Sequence, residues 1–63
     1  MRIKIHDISA NQRLEDFFLS FDKFVANEGF EGEDKENLRQ TLEKGETFVY
    51  GPGPNVAFEI TAL

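Results

Sequence analysis

The absence of cysteine from a chain of only 63 residues constrains its folding more than any other feature. A domain this short lies near the lower limit of what a hydrophobic core alone sustains, and chains of this size commonly rely on disulfides, a metal or self-association. Without cysteine, disulfides and thiolate zinc sites are impossible. A single histidine, His6, excludes a multi-histidine metal site within one chain. What remains is close packing and association. Seven phenylalanines favour packing, since each buried ring withdraws a large area from water. So many rings also suggest aromatic surface left over for a partner. The length permits one domain, spanning residues 1–63.

The chain begins with alternation. Ile3 and Ile5 share one parity and Arg2, Lys4 and His6 the other, which predicts a strand over residues 2–8 with one buried face. Ser9-Ala10-Asn11-Gln12 reads as a capping box, with Ile8 placed to staple onto the turns that follow. A long helix is expected over residues 10–28. Ala10, Leu14, Phe17, Phe18, Phe21, Phe24 and Val25 form its apolar stripe, with Leu19 off that stripe and Asp16, Lys23 and Asn27 on the opposite face. Gly29 is a left-handed stop, with Phe30 folding back onto the last turn. A shorter helix follows within residues 31–46, its acidic first turn suited to the positive end of the dipole. Leu38 and Leu42, with Thr41 beside them, are its inner face, a weak anchor. Lys44 and Gly45 end it.

Residues 47–63 read as a hairpin. Phe48 and Tyr50 share a parity, Val56, Phe58, Ile60 and Ala62 alternate with polar or small residues, and Gly51-Pro52-Gly53-Pro54-Asn55 is the connection. The expected fold is α+β in the order β-α-α-β-β: a three-stranded, mostly antiparallel sheet with one long and one short helix packed on one face. The first strand is expected to pair with the last. Such a sheet leaves a face and two edges for solvent or a partner.

The net charge is −5, and residues 28–46 hold seven acidic against three basic residues, most of that excess. Glu28, Glu31, Glu33, Asp34 and Glu36, with the aromatic Phe30 among them, are the candidate partner-binding residues; Glu43 and Glu46 extend the patch. In a calcium-loop register starting at Glu31 or nearby, the required glycine and terminal glutamate fail to fall in place, so no metal site is expected. Gly51-Pro52-Gly53 is not a phosphate loop: the prolines remove amide donors, no Lys-Ser or Lys-Thr follows, and a strand rather than a helix comes next. His6, near Asp7 and Arg2, has no partner nucleophile; Ser9 is accounted for as a cap, and Ser20 has no identifiable partner. Neither an enzyme nor a cofactor is expected. The rings Phe17, Phe18, Phe21 and Phe24 are assigned to the core, while Leu19, Val49 and Leu63 are the apolar residues least accounted for, a contact patch if they meet at the surface.

No residue-level motif of a known family is present. A surface of this charge repels a phosphate backbone, so direct nucleic-acid binding is not expected; it attracts basic proteins. No stretch reaches the ~18 apolar residues of a membrane span, the alternating, charged start is unlike a signal peptide, and a cytoplasmic location is expected. In size, charge and compactness the chain resembles the small inhibitors encoded by bacteriophages and other mobile elements, anti-CRISPR proteins among them. That resemblance implies a non-enzymatic protein that binds a nucleic-acid-handling complex and blocks it, its carboxylates standing in for phosphates as a nucleic-acid mimic. The alternative is a small self-associating regulatory or adaptor domain of the antitoxin kind, a homodimer formed through the sheet face or an edge strand.

Overall fold

A computed structural model of the chain describes residues 1–9 and 15–63. Among these residues it shows an α+β fold of four strands and two helices: β1 (Arg2–Asp7), β2 (Phe17–Ser20), α1 (Phe21–Glu28), α2 (Gly32–Glu43), β3 (Phe48–Gly53) and β4 (Val56–Ala62). The strands form one antiparallel sheet in the order β2-β1-β4-β3. The first strand pairs with the last, as expected. The sheet has four strands rather than three, and the chain order is β-β-α-α-β-β, because part of the expected long helix is a strand.

That part is Phe17–Ser20. Phe17 and Leu19 take the inner face opposite Ile5 and Ile3, while Phe18 and Ser20 take the outer face opposite Lys4 and Arg2. Phe17, Phe18, Phe21, Phe24 and Val25 fit helical spacing, but 17 and 19 fit a strand equally, and a short apolar run does not discriminate between the two. Ser20 decides the boundary. Its backbone is extended and its hydroxyl accepts the Lys23 amide at 3.1 Å, so the helix starts at Phe21 with Asp22 in its first turn. Ala10 and Leu14 of the expected stripe, and Gln12 of the expected capping box, lie outside the described residues. Ser9 itself extends the sheet: its hydroxyl accepts the Ala57 amide at 2.9 Å and donates to the Ala57 carbonyl at 3.3 Å. Ile8 is exposed, and its amide donates to the same carbonyl at 2.9 Å.

Both helices stop where glycine is available. Gly29 is left-handed at φ 74°, and its own amide and that of Phe30 return to the Val25 carbonyl. Gly45, at φ 77°, donates to Leu42 while the Glu46 amide reaches Thr41. Each is the left-handed close that a Cβ disfavours. The hairpin turn is shorter than expected. β3 runs on through Gly51, Pro52 and Gly53, with an irregular register between Tyr50 and Gly53, and Pro54-Asn55 alone makes the turn. Proline is tolerated there because β3 is an edge strand, where a missing amide costs no ladder bond.

The core lies between the inner sheet face and the helices: Ile3, Ile5 and Ile60 from the sheet, Phe21, Phe24 and Val25 from α1, Leu38 and Leu42 from α2. The anchor of α2 is short but deep. Its two leucines are among the four most fully buried side chains, with Ile3 and Ile60. Phe21 and Phe24 belong to the core as expected, whereas Phe17 and Phe18 do not; each is 52 % exposed.

Candidate acidic cleft

The joint between the two helices sits over the β3 edge of the sheet. α1 delivers Glu28 at its last position, the Gly29 stop turns Phe30 back toward the sheet, and the first two turns of α2 bring Asp34 and Asn37 alongside. From below, Phe48 and Tyr50 of β3 rise on the inner face, opposite Ile60 and Phe58. These six residues, with Gly29, Val49 and Gly51, line a cleft of about 390 Å³.

The floor is aromatic. Phe30 lies 5.0 Å from Tyr50 and 6.1 Å from Phe48, centroid to centroid, both edge-on, and 5.5 Å from Phe24, which meets Tyr50 at 6.1 Å. Edge-to-face packing of this kind is favoured by the ring quadrupoles, beyond the area the rings bury. The wall is acidic. The Tyr50 phenol is held above its ordinary range, first by burial and then by the Glu28 carboxylate beside it. A negative charge therefore sits at the mouth of an aromatic pocket.

The remaining acids divide into two groups. Glu36 is turned along its own helix: Arg39 grips it through Nη2 and through Nε at 3.2 Å, and Gln40 donates to it at 3.2 Å. Arg39 also reaches Glu43 at 3.2 Å. The hydrogen bond from Arg39 is the main cause that holds the Glu36 carboxyl below its usual range, and the same pairing raises Arg39. By contrast, Glu28, Glu31, Glu33 and Asp34 form no ion pair with Lys or Arg among the described residues. Glu31 and Glu33 are exposed outside the cleft, and Glu31 serves α2 through its carbonyl, which accepts from Asp34 and Lys35.

Of the six residues expected to bind a partner, the structure thus brings Glu28, Phe30 and Asp34 into one cleft, leaves Glu31 and Glu33 beside it, and commits Glu36 to Arg39. Sequence reasoning missed Asn37, Phe48 and Tyr50. Asn37 was detectable, since it stands one helical turn after Asp34 on the same face. Phe48 and Tyr50 share one strand parity, which points to the core, but both are only half-buried.

Other candidates fall elsewhere. His6 is exposed on the outer face and hydrogen-bonds Asp16 at 2.8 Å, tying β1 to the approach of β2. The hydroxyls of Ser9 and Ser20 are committed to Ala57 and Lys23. Leu19 packs against the core, while Val49 and Leu63 are exposed, so the three do not make one patch. Leu19 instead lines a second, mainly apolar cavity of about 330 Å³ with Ile5, Phe17, Phe24 and Phe58; Glu28 and Tyr50 stand between the two cavities and line both. Among the described residues no group of three or more His, Asp or Glu is arranged to hold a metal, and no helix is long and apolar enough to cross a membrane. The chain matches no family model, no curated protein and no solved structure.

Proposed function

We propose that this chain is a non-enzymatic acidic binding module that docks onto a basic surface of a protein partner, and that the partner is a nucleic-acid-handling protein or complex which it inhibits, in the manner of phage-encoded counter-defence and anti-CRISPR proteins. The observation that carries this reading is the opening of Glu28 and Asp34 onto the Phe30, Phe48 and Tyr50 rings. Carboxylate beside aromatic face is the pairing that an arginine guanidinium satisfies best. The planar cation stacks on the ring while its N–H groups meet the carboxylate. Residues that a protein uses to grip phosphates are the ones such a cleft would engage, which is how carboxylates come to occupy a nucleic-acid site.

The surrounding charge supports the same reading. Glu31 and Glu33, exposed beside the cleft, add to a net charge of −5 that steers a basic partner toward this end of the molecule. The half-buried rings supply the desolvated centre that dominates affinity at most interfaces.

Affinity capture from a bacterial lysate tests it. The tagged chain is run beside a variant with Glu28, Glu31, Glu33 and Asp34 changed to Gln, Gln, Gln and Asn, at low and moderate salt. The reading expects a basic nucleic-acid-binding protein held by the original chain, lost from the variant and weakened as salt rises. Capture of the same protein by both chains, indifferent to salt, overturns it.

A further inference from the structure

We infer that the β2 edge is a self-association site, where two copies of this chain join their sheets across a two-fold axis at Phe18. The hydrogen-bond alternation shows which groups are on offer. The Phe21 amide donates to the Met1 carbonyl at 2.8 Å, in line with the β1–β2 register. The odd-numbered residues of β2 therefore bond to β1, and the N–H and C=O of Phe18 and the N–H of Ser20 point away from the sheet. No side chain of the strand shields them by charge. Phe17–Ser20 contains no charge, no proline and no glycine, and its pairing with β1 is regular. Charge, proline, bulges and shortness are devices by which edge strands normally avoid pairing; of these β2 has only its shortness, four residues.

The occupant is a second copy because the strand is complementary to itself. With the axis at Phe18, the Phe18 groups of the two copies exchange two N–H···O bonds, and each Ser20 amide reaches the Asp16 carbonyl across the axis. Phe18 then faces Phe18 on the outer side, and Phe17 faces Leu19 on the inner side, in both directions. Each half-exposed ring gains an apolar cross-strand neighbour. No charged side chain is set directly against one of like sign within the paired strands, so two bodies of charge −5 can meet here. The interface is isologous, so it closes at two. The order β2-β1-β4-β3 keeps it at the sheet edge opposite the acidic cleft, which stays open in the dimer, and the inference does not depend on the proposed function. A four-residue edge is small beside the ~1,200–2,000 Å² of a stable interface, so dimerisation is expected with a Kd on the order of 100 μM.

Sedimentation velocity from about 10 μM to about 1 mM, a range spanning that Kd, reads the result. The original chain is expected to move from 7.2 kDa toward twice that mass. Phe18→Glu places a carboxylate opposite Lys4 within its own sheet and against its copy across the axis, so it is expected to stay monomeric with an unchanged circular dichroism spectrum. Val49→Lys, on the opposite edge strand and facing Glu59, is expected to dimerise like the original. On the original chain, the Phe18 and Ser20 amides should become more protected from hydrogen exchange as concentration rises, a readout that needs no variant. A chain monomeric throughout the range overturns the inference and leaves the edge to another polypeptide. Dimerisation that survives Phe18→Glu, or fails in Val49→Lys instead, overturns it as well.

Discussion

The two edges of this sheet are made from opposite materials. β3 ends in Gly51-Pro52-Gly53, with a broken register and a proline that has no amide to offer, and the acidic cleft lies beside it. β2 is four uncharged residues with regular pairing, two half-exposed rings and outward-pointing backbone groups. A sheet covered by short helices on one face cannot hide both edges. Here one edge carries a proline and is flanked by acidic residues, the chemistry proposed to select a cationic partner; the other offers uncharged side chains and outward-pointing backbone groups, the chemistry inferred to pair with a second copy. The lesson is that exposed apolar residues and exposed charge need not compete for one interface in a chain this small.

The comparison rests on both edges hanging from one core, and the largest expected effect tests that. Ile60 is fully buried in β4 and lies opposite both Ile5 and Phe48. Ile60→Ala should cost about 2–5 kcal/mol, a large part of the stability of so small a domain. Amide exchange should accelerate in β2 and β3 together. Acceleration confined to one edge would show that they are not held by a common unit.

A smaller change should separate the edges. Ser20→Ala removes the cap at the β2–α1 junction, at about 1 kcal/mol. Denaturant titration should report that loss, with amide exchange rising most in α1 and β2 while β3 keeps its protection. Equal loosening of β3 contradicts the assignment of Ser20 as a local boundary.

The smallest effect concerns the acid that the cleft does not use. Glu36 has a lowered pKa in the folded chain, so its pairing with Arg39 contributes stability above its unfolded value near 4.5, and that contribution disappears as pH falls through the lowered folded value. Glu36→Gln should therefore be slightly less stable than the original at neutral pH and converge with it in acid. Both groups are exposed, which keeps the effect small. A gap that persists at low pH would place the role of Glu36 in packing instead.

Much of this arrangement was readable from residue order. The alternation of Arg2 to Asp7 and of Val56 to Ala62 is unambiguous because each strand keeps one parity for the core. The stops at Gly29 and Gly45 follow from the residue type. Phe17–Ser20 was not readable, because an apolar run that satisfies both periods is decided by its tertiary neighbours, here Ile3 and Ile5. The reach of β3 through Pro52 was hidden for a similar reason, since only its edge position makes a proline acceptable. In the candidate site, composition located Glu28, Phe30 and Asp34. It did not reveal that Arg39 withdraws Glu36, nor that β3 brings Phe48 and Tyr50 beneath the acids, since both depend on which faces meet.

The central claim is that the acids and rings at the helix joint act as one cleft for a cationic side chain. Titrating hexa-arginine into the chain and following backbone amides by NMR tests it most directly. The account predicts shifts concentrated at Glu28 to Phe30, Asp34, Asn37 and Phe48 to Gly51, and weaker binding by hexa-lysine, which lacks the planar stack. The double variant Glu28→Gln, Asp34→Asn should bind about 10-fold more weakly, the loss of ~1.4 kcal/mol. Shifts spread evenly along α2, with an affinity that the double variant leaves unchanged, would contradict it.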